Sequence, residues 1–501
     1  MKYKNLINGK WADAKSGRTF PNTNPADTSD VIGEFPASGK EDVDAAVAAA
    51  KAAFEGWRRT PAPKRAEVVY RAGELLRERK AEVAREMTRE MGKVLKETNG
   101  DVQEGIDTAY HHASEGRRLF GFTTPSELPD KWAMTVRQPV GVAGIITPWN
   151  FPLAIPTWKI FPALVAGNTV VFKPASDTPR TGHALVEILA EAGAPAGVVN
   201  LVHGGGADVG FPIVKHPDTR VISFTGSCEV GREINSIAGG MLKRTCCELG
   251  GKNAIIVMDD ADLELLVDGV LWGAFGTTGQ RCTATSRLIL HRKVHDEFVA
   301  KLLPRVKKLR LGNGLDPKTD VGPVVNKGRI AEIQKYVDIG KKEAKLLCGG
   351  EAATDGDLKK GHFYKPTIFD DVKPGARIAK EEIFGPVLSV LTCGSLEEGI
   401  RIANDVEYGL SSSIYTRDIK AAFRAIEDLE TGIVYVNAPT IGAEAHLPFG
   451  GWKSTGNGHR EGAHTIYDVF TEWKTVYVDY SGRLQRAQID NVPVEEKKPR
   501  R

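Results

Sequence analysis

From about Asp130 to Val436 the chain alternates short β-branched runs with stretches of helical period, and no other feature narrows its possible folds as much. The segment KWAMTVRQPVGVAGIITPW and the runs Thr169–Lys173, Val198–His203 and Arg220–Thr225 read as strands, with helix-like stretches such as Thr181–Ala192 between them. Strand, helix, strand at this spacing predicts βαβ units and a mostly parallel sheet covered on both faces. A second α/β lobe is expected from Asn253 to about Val436, with strands at Ala254–Val257, Ser286–Leu290 and Pro386–Leu391.

Upstream, Leu6-Ile7-Asn8-Gly9-Lys10-Trp11 reads as a hairpin. Val43, Val47, Ala50 and Phe54 at helical spacing, continued by Lys64 to Lys93, make the following N-terminal region helical. Late in the chain Tyr467–Tyr480 reads as strand, with no sequence neighbour able to form a hairpin with it, so pairing with another subunit is expected.

Composition excludes several classes. With 501 residues, 41% hydrophobic and 26% charged, the chain has the make-up of a soluble protein of two or three structural units. Its 67 Lys+Arg against 64 Asp+Glu leave +3, which asks for no polyanionic partner, and no nucleic-acid binding is expected. The basic cluster Lys497, Lys498, Arg500 and Arg501 follows Glu495 and Glu496 and is broken by Pro499, so it reads as a solvated tail. No run approaches the roughly 20 apolar residues of a membrane span, and the start is not an export segment, so a cytoplasmic location is the default. Cys228, Cys246, Cys247, Cys282, Cys348 and Cys393 form neither a disulfide scaffold nor a zinc motif, so free thiols and no metal are expected.

The most informative residues are Glu248 in GluLeuGlyGlyLys and Cys282 in ThrThrGlyGlnArgCys, 282 − 248 = 34 positions apart. Together with ThrProTrpAsnPhePro (147–152), LysPro (173–174), PheThrGlySer (224–227), GluGluIlePheGlyPro (381–386) and ProPheGlyGly (448–451), they resemble the aldehyde dehydrogenase superfamily over about residues 5–480. GlnArgCysThrAla and GlyAsnGlyHisArgGlu (456–461) are similar to semialdehyde dehydrogenase branches. The resemblance implies an aldehyde dehydrogenase-like α/β fold: a Rossmann-like cofactor domain (1–123 and 144–250), an α/β catalytic domain (251–462), a small β oligomerisation element (124–143 and 463–480) and an extension (481–501). It also implies a homodimer or homotetramer.

The chemistry can be followed from the residues. Oxidising an aldehyde by hydride loss first needs a tetrahedral adduct, and a thiolate makes one readily, so Cys282, in a Gly-rich loop entering a strand, is the candidate nucleophile. Cys246 and Cys247 read as core residues. The developing oxyanion needs preorganised donors, which the resemblance assigns to the Asn150 amide and the Cys282 N–H. A thioester must then be hydrolysed, and Glu248, a carboxylate in a partly apolar site, is the candidate base; the alternative is an ion pair with Lys243 or Arg244. Its presence favours hydrolysis over acyl transfer to coenzyme A.

No GxGxxG is present, but Gly226 and Ser227 end a strand and open a helix, where N–H groups and the helix dipole suit a pyrophosphate. The resemblance adds Lys173 and Glu382 at the two riboses of NAD or NADP, Phe384 near the nicotinamide, and Trp149 and Gly250 in the same site. Ser176 stands where NAD-preferring relatives often carry a glutamate, so acceptance of NADP is expected. Phe151, Trp158, Arg281, Thr283 and Phe449 match a substrate tunnel. Arg281 could grip a substrate carboxylate, which points to a semialdehyde, or could pair with a protein carboxylate instead. Two other classes stay open: a cysteine hydrolase, which lacks a matched histidine, and an inactive binding protein on the same fold.

Overall fold

The computed structural model describes residues 1–490; the charged tail discussed above, 495–501, lies outside the described residues. The first sheet has seven strands. Five are parallel, in the order Arg244–Glu248, Thr219–Thr225, Val142–Ile146, Thr169–Lys173, Val199–Leu201, and the antiparallel pair Asn5–Ile7 and Lys10–Ala12 completes the edge. Numbered along the chain, the parallel strands run third, second, first, fourth, fifth from that edge. The order reverses between Val142–Ile146 and Thr219–Thr225, and a doubly wound sheet opens a ligand crevice at the carboxyl ends of such a pair.

All five residues of Val142–Ile146 and of Thr169–Lys173 are buried, as continuous apolar runs in a two-sided sheet require. Ala143, Ile145, Val170 and Phe172 pack with Val69, Ile106 and Ile160 from the helices Ala62–Glu78, Leu95–Glu115 and Ala154–Ala166. Val142, Ile146 and Val171 face the opposite way, onto Val43, Val47 and Ala50 of the helix Lys40–Arg59. The alternation follows from the two-residue period of a strand. The expected N-terminal hairpin is present, turning through Asn8 and Gly9 with φ of 52° and 71°. A second pair of strands, Thr19–Asn24 and Asp27–Pro36, precedes the helices and was not expected.

The second sheet also has seven strands, in the order Lys345–Cys348, Thr367–Asp370, Val387–Cys393, Thr285–His291, Asn253–Val257, Ser411–Tyr415, Ile433–Val436, all parallel but the first. Ile255, Val257, Leu288 and Leu290 pack on one face; Ala254, Ile256, Ile289 and Leu391 pack on the other.

A third, antiparallel sheet joins Thr123–Pro125, Lys131–Pro139 and Thr471–Asp479. Three expectations are corrected here. The first four residues of 467–480 are a helical turn, Tyr467–Phe470, because Tyr467 turns inward to meet His112 Nδ1 at 3.2 Å and Thr471 Oγ1 caps the Tyr467 carbonyl. The strand that follows finds its partner within the same chain, in register from Thr471 opposite Pro139 to Asp479 opposite Lys131. Val142 and Ala143, expected in the β element, pair in the first sheet instead. Among the described residues no helix is long and apolar enough to cross a membrane, and no cluster of side chains could hold a metal ion.

Candidate active site

Cys282 lies three residues before the central strand Thr285–His291, immediately after an unusual turn. Thr277, Thr278 and Gly279 have φ of 52°, 57° and 67°, three successive left-handed residues of which two are β-branched. Such backbone is sterically disfavoured and persists only where its surroundings over-determine it. Gly279 is required, since a Cβ there would strike the carbonyl of Gly385. Beyond the turn, the Asn253 amide nitrogen donates to the Cys282 carbonyl at 2.8 Å and to the Ala284 carbonyl at 2.9 Å, while its oxygen accepts from the Ser411 N–H at 3.1 Å. The Cys282 backbone is thereby tied to the middle of the second sheet.

The Cys282 side chain lines a narrow cavity of about 90 Å³ with Phe151, Trp158, Glu248, Arg281, Thr283 and Phe449. Trp158 and Phe449 meet edge to face with ring centroids 5.6 Å apart. Outward, Phe151, Glu104 and Arg281 also border a mouth of about 600 Å³. The two spaces form a funnel that narrows towards the thiol. Burial, then the charges of Glu382 and Glu248, push the Cys282 thiol up to about 12, so it rests protonated at neutral pH.

Glu248 ends the strand Arg244–Glu248, beside the thiol's chamber, and neither of its carboxylate oxygens has a hydrogen-bond partner. Its carboxyl is held well above the usual range by burial and by Glu461, against the pull of Lys159. Gly450, with φ of 147°, makes room for it, since a Cβ there would sit 2.7 Å from Glu248 Oε1. The alternative ion pairs are not formed: Lys243 donates to the carbonyls of Val214 and His216, and Arg244 to Glu472 and the carbonyls near Asp468. Behind Glu248, Lys159 is buried in an ion pair with Glu461 and donates to Ser223 Oγ at 3.1 Å. Asn150 is 3% exposed and its side-chain oxygen has no partner. Cys246 and Cys247 are core residues, as expected.

Several residues expected at a cofactor stand at or just beyond the carboxyl ends of the first sheet's strands. Thr225-Gly226-Ser227 leads from its strand into the helix Cys228–Gly240, where Ser227 Oγ caps the Val230 N–H at 3.4 Å. The Gly226 N–H donates to the Glu248 carbonyl at 3.1 Å, so the turn and the carboxylate share one scaffold. Lys173, at the end of its strand, donates to the Pro174 carbonyl at 3.0 Å, and burial lowers its amine to about 8. Ser176 Oγ donates to the Gly204 carbonyl at 3.0 Å. Glu382 packs its carboxylate on Gly250 and accepts from the Gly251 N–H at 2.9 Å; burial raises it to about 6. Phe384, with φ of 54°, meets Trp149 edge-on at 5.4 Å. Glycines that admit close approach, a helix N-terminus and polar groups spaced along the crevice fit an extended dinucleotide.

The structure thus gathers Cys282, Glu248, Phe151, Trp158, Arg281, Thr283 and Phe449 around one chamber. Arg281 stacks over Trp272 at 4.7 Å and Phe151 at 5.3 Å, and its guanidinium lies 3.4 Å from Glu97. Sequence reasoning missed Asn253, Glu97, Gln280 and the Lys159–Glu461 pair. Gln280 lies inside ThrThrGlyGlnArgCys, Glu461 closes GlyAsnGlyHisArgGlu and Asn253 directly follows GluLeuGlyGlyLys, whereas Glu97 and Lys159 stand outside every motif noted.

The chain belongs to the aldehyde dehydrogenase family, whose model matches residues 11–476. It is 43% identical over 477 residues to an alpha-ketoglutaric semialdehyde dehydrogenase of Bacillus subtilis, covering 95% of this chain and 98% of that one. It is 41% identical to a succinate-semialdehyde dehydrogenase [NADP(+)] of Escherichia coli, covering 94% and 96%. A crystal structure of betaine aldehyde dehydrogenase from Staphylococcus aureus in complex with NAD+ superimposes with a TM-score of 0.94 at 35% identity, covering 96% and 95%. The protein is therefore an oxidoreductase that converts aldehydes to carboxylic acids with NAD or NADP.

Proposed function

We propose that this enzyme oxidises a carboxylated semialdehyde, with Cys282 as nucleophile, Glu248 as base, and Asn150 with the Cys282 N–H as oxyanion donors. The observation that carries this reading is the single funnel in which thiol, unpartnered carboxylate and Arg281 all face the same space. Cys282 Sγ bonds to the aldehyde carbon while its proton passes to the unpartnered Glu248; the carbonyl oxygen becomes the oxyanion that Asn150 and the backbone N–H stabilise. A bound nicotinamide would supply the hydride acceptor. Lys173, Gly226, Ser227, Glu382, Phe384, Trp149 and Gly250 would hold it, and Ser176 in place of a carboxylate would leave room for a 2′-phosphate. Once Glu248 has given up the thiol proton, it removes a proton from water, whose oxygen attacks the thioester carbon; the C–S bond breaks, the acid leaves, and Cys282 Sγ recovers the proton from Glu248. The buried Lys159–Glu461 pair, whose charges both act on Glu248, is the group we assign to carry the thiol proton away.

Arg281 makes one bond to Thr277 Oγ1 at 2.9 Å and a long contact to Glu97, so part of its fork faces the funnel for a substrate carboxylate. The names of the similar semialdehyde dehydrogenases support this substrate class. The test is reduction of NAD or NADP, read by absorbance, with a semialdehyde and an aliphatic aldehyde of equal length. Cys282→Ala should abolish reduction, and Arg281→Ala should weaken the semialdehyde about 10–100-fold more than the aliphatic aldehyde, as expected for losing a charged hydrogen bond. Equal losses on both aldehydes would reject carboxylate recognition.

We also assign the first sheet and its helices to cofactor binding, the second to catalysis and the third to assembly as a homodimer or homotetramer. Exposed Phe122, Trp132, Trp473 and Tyr477 on the third sheet, and the open edge of Thr471–Asp479, support assembly. Six unpaired cysteines support a reducing, cytoplasmic setting.

A further inference from the structure

We propose that Glu97 is a positioning residue for the nucleophile, its carboxylate holding the left-handed turn Thr277–Gly279 in the one conformation that aims Cys282 into the chamber. The inference rests on Cys282 being the nucleophile. Glu97 stands on the helix Leu95–Glu115, 180 residues away from the turn it holds, and is 6% exposed. Its Oε1 accepts from the Thr277 N–H at 2.7 Å and faces the Arg281 guanidinium at 3.4 Å. Arg281 Nε closes the loop by donating to Thr277 Oγ1 at 2.9 Å.

From the other side, Gln280, fully buried, donates to the Thr277 carbonyl at 3.1 Å and accepts from the Val325 N–H at 3.0 Å. Thr278 Oγ1 donates to the Gly322 carbonyl at 2.9 Å. Two threonines do not adopt left-handed backbone unaided, so these contacts hold the turn. Glu97 is the only side chain bonded to the Thr277 N–H in the described structure. Without it a buried donor is left unpaired, and the turn gains by relaxing to the right-handed basin, which carries Cys282 with it.

The roles of Glu97 as acceptor and as charge are separable. Glutamine keeps a carbonyl oxygen for the Thr277 N–H and removes only the charge facing Arg281; alanine removes both. A glycine at 277 adopts positive φ without strain and has less need of the acceptor.

The experiment is the pre-steady-state burst of reduced cofactor with propanal and saturating NAD, together with the cofactor dissociation constant. Glu97→Ala should slow the burst about 10–100-fold, the scale of a misplaced reacting group, with cofactor binding unchanged. Glu97→Gln should stay within about threefold of wild type, and adding Thr277→Gly to Glu97→Ala should restore most of the lost rate. Where Glu97→Ala does not fold, the double variant carries the comparison. A burst within about threefold of wild type in Glu97→Ala, an equal loss in Glu97→Gln, or a slow double variant would each overturn the proposal. If Cys282→Ala retains the burst, the failure lies in the nucleophile assignment, not in Glu97.

Discussion

Replacing Asn253 by alanine should loosen the Cys282 segment more than any surface change, and the structure sets the size. The side chain is 3% exposed and satisfies three backbone groups: the carbonyls of Cys282 and Ala284, and the N–H of Ser411. Each buried group left without a partner costs about 1–3 kcal/mol. A water entering the vacated space would recover some of this, which places the expected loss at about 3–5 kcal/mol. Ser286→Ala is the matched control, because its hydroxyl makes one 3.3 Å bond to the Asn253 carbonyl and its loss should cost about 0.5–1.5 kcal/mol. Urea unfolding followed by tryptophan fluorescence measures both, and the burst of reduced cofactor reports on Cys282. An Asn253→Ala loss below about 1 kcal/mol, with an unchanged burst, would refute the reasoning, since the three groups would then be satisfied elsewhere.

Further outcomes follow from the same geometry. Because burial and Glu461 hold the Glu248 carboxyl above its usual range, the base form appears only as pH rises through that raised value. Single-turnover thioester hydrolysis should climb with pH in the wild type, and be flat and about 10²–10⁴-fold slower in Glu248→Gln; a flat wild-type profile would remove Glu248 from the role. Ser176→Glu should lower the NADP/NAD efficiency ratio. In the wild type KM for NADP should rise above pH of about 8, where Lys173 loses its proton, with little change for NAD. Gly279→Ala places a methyl against the Gly385 carbonyl on positive φ, and should cost about 1–3 kcal/mol in thermal unfolding.

Much of this was legible before any coordinates. The parallel strands were readable because continuous β-branched runs such as Thr169–Lys173 have no other good way to be buried, and the turn at Gly226 because a strand gives way there to a capped helix. The chamber's side chains were legible through motif resemblance. The turn before Cys282 was not: threonine is among the residues least suited to left-handed backbone, so sequence argues against what tertiary contacts impose. Glu97 looked like any charged residue in a helix, since nothing local signals a partner 180 residues away. The strand Thr471–Asp479 was seen, but its partner was sought in another subunit because pairing across such a separation leaves no local trace.

That last pairing also sets a timetable for the ribosome. Between Pro139 and Thr471 lie 471 − 139 = 332 steps of the chain, and synthesis at about 5–20 residues per second spreads them over roughly 15–65 s. Throughout this interval Lys131–Pro139 has only the short strand Thr123–Pro125 beside it, and its other edge stays open. An uncovered edge is a template for aggregation, so the nascent protein should depend on chaperones until Thr471–Asp479 arrives. A chain ended at residue 466 is expected to partition into the insoluble fraction even though both larger sheets are complete in its sequence.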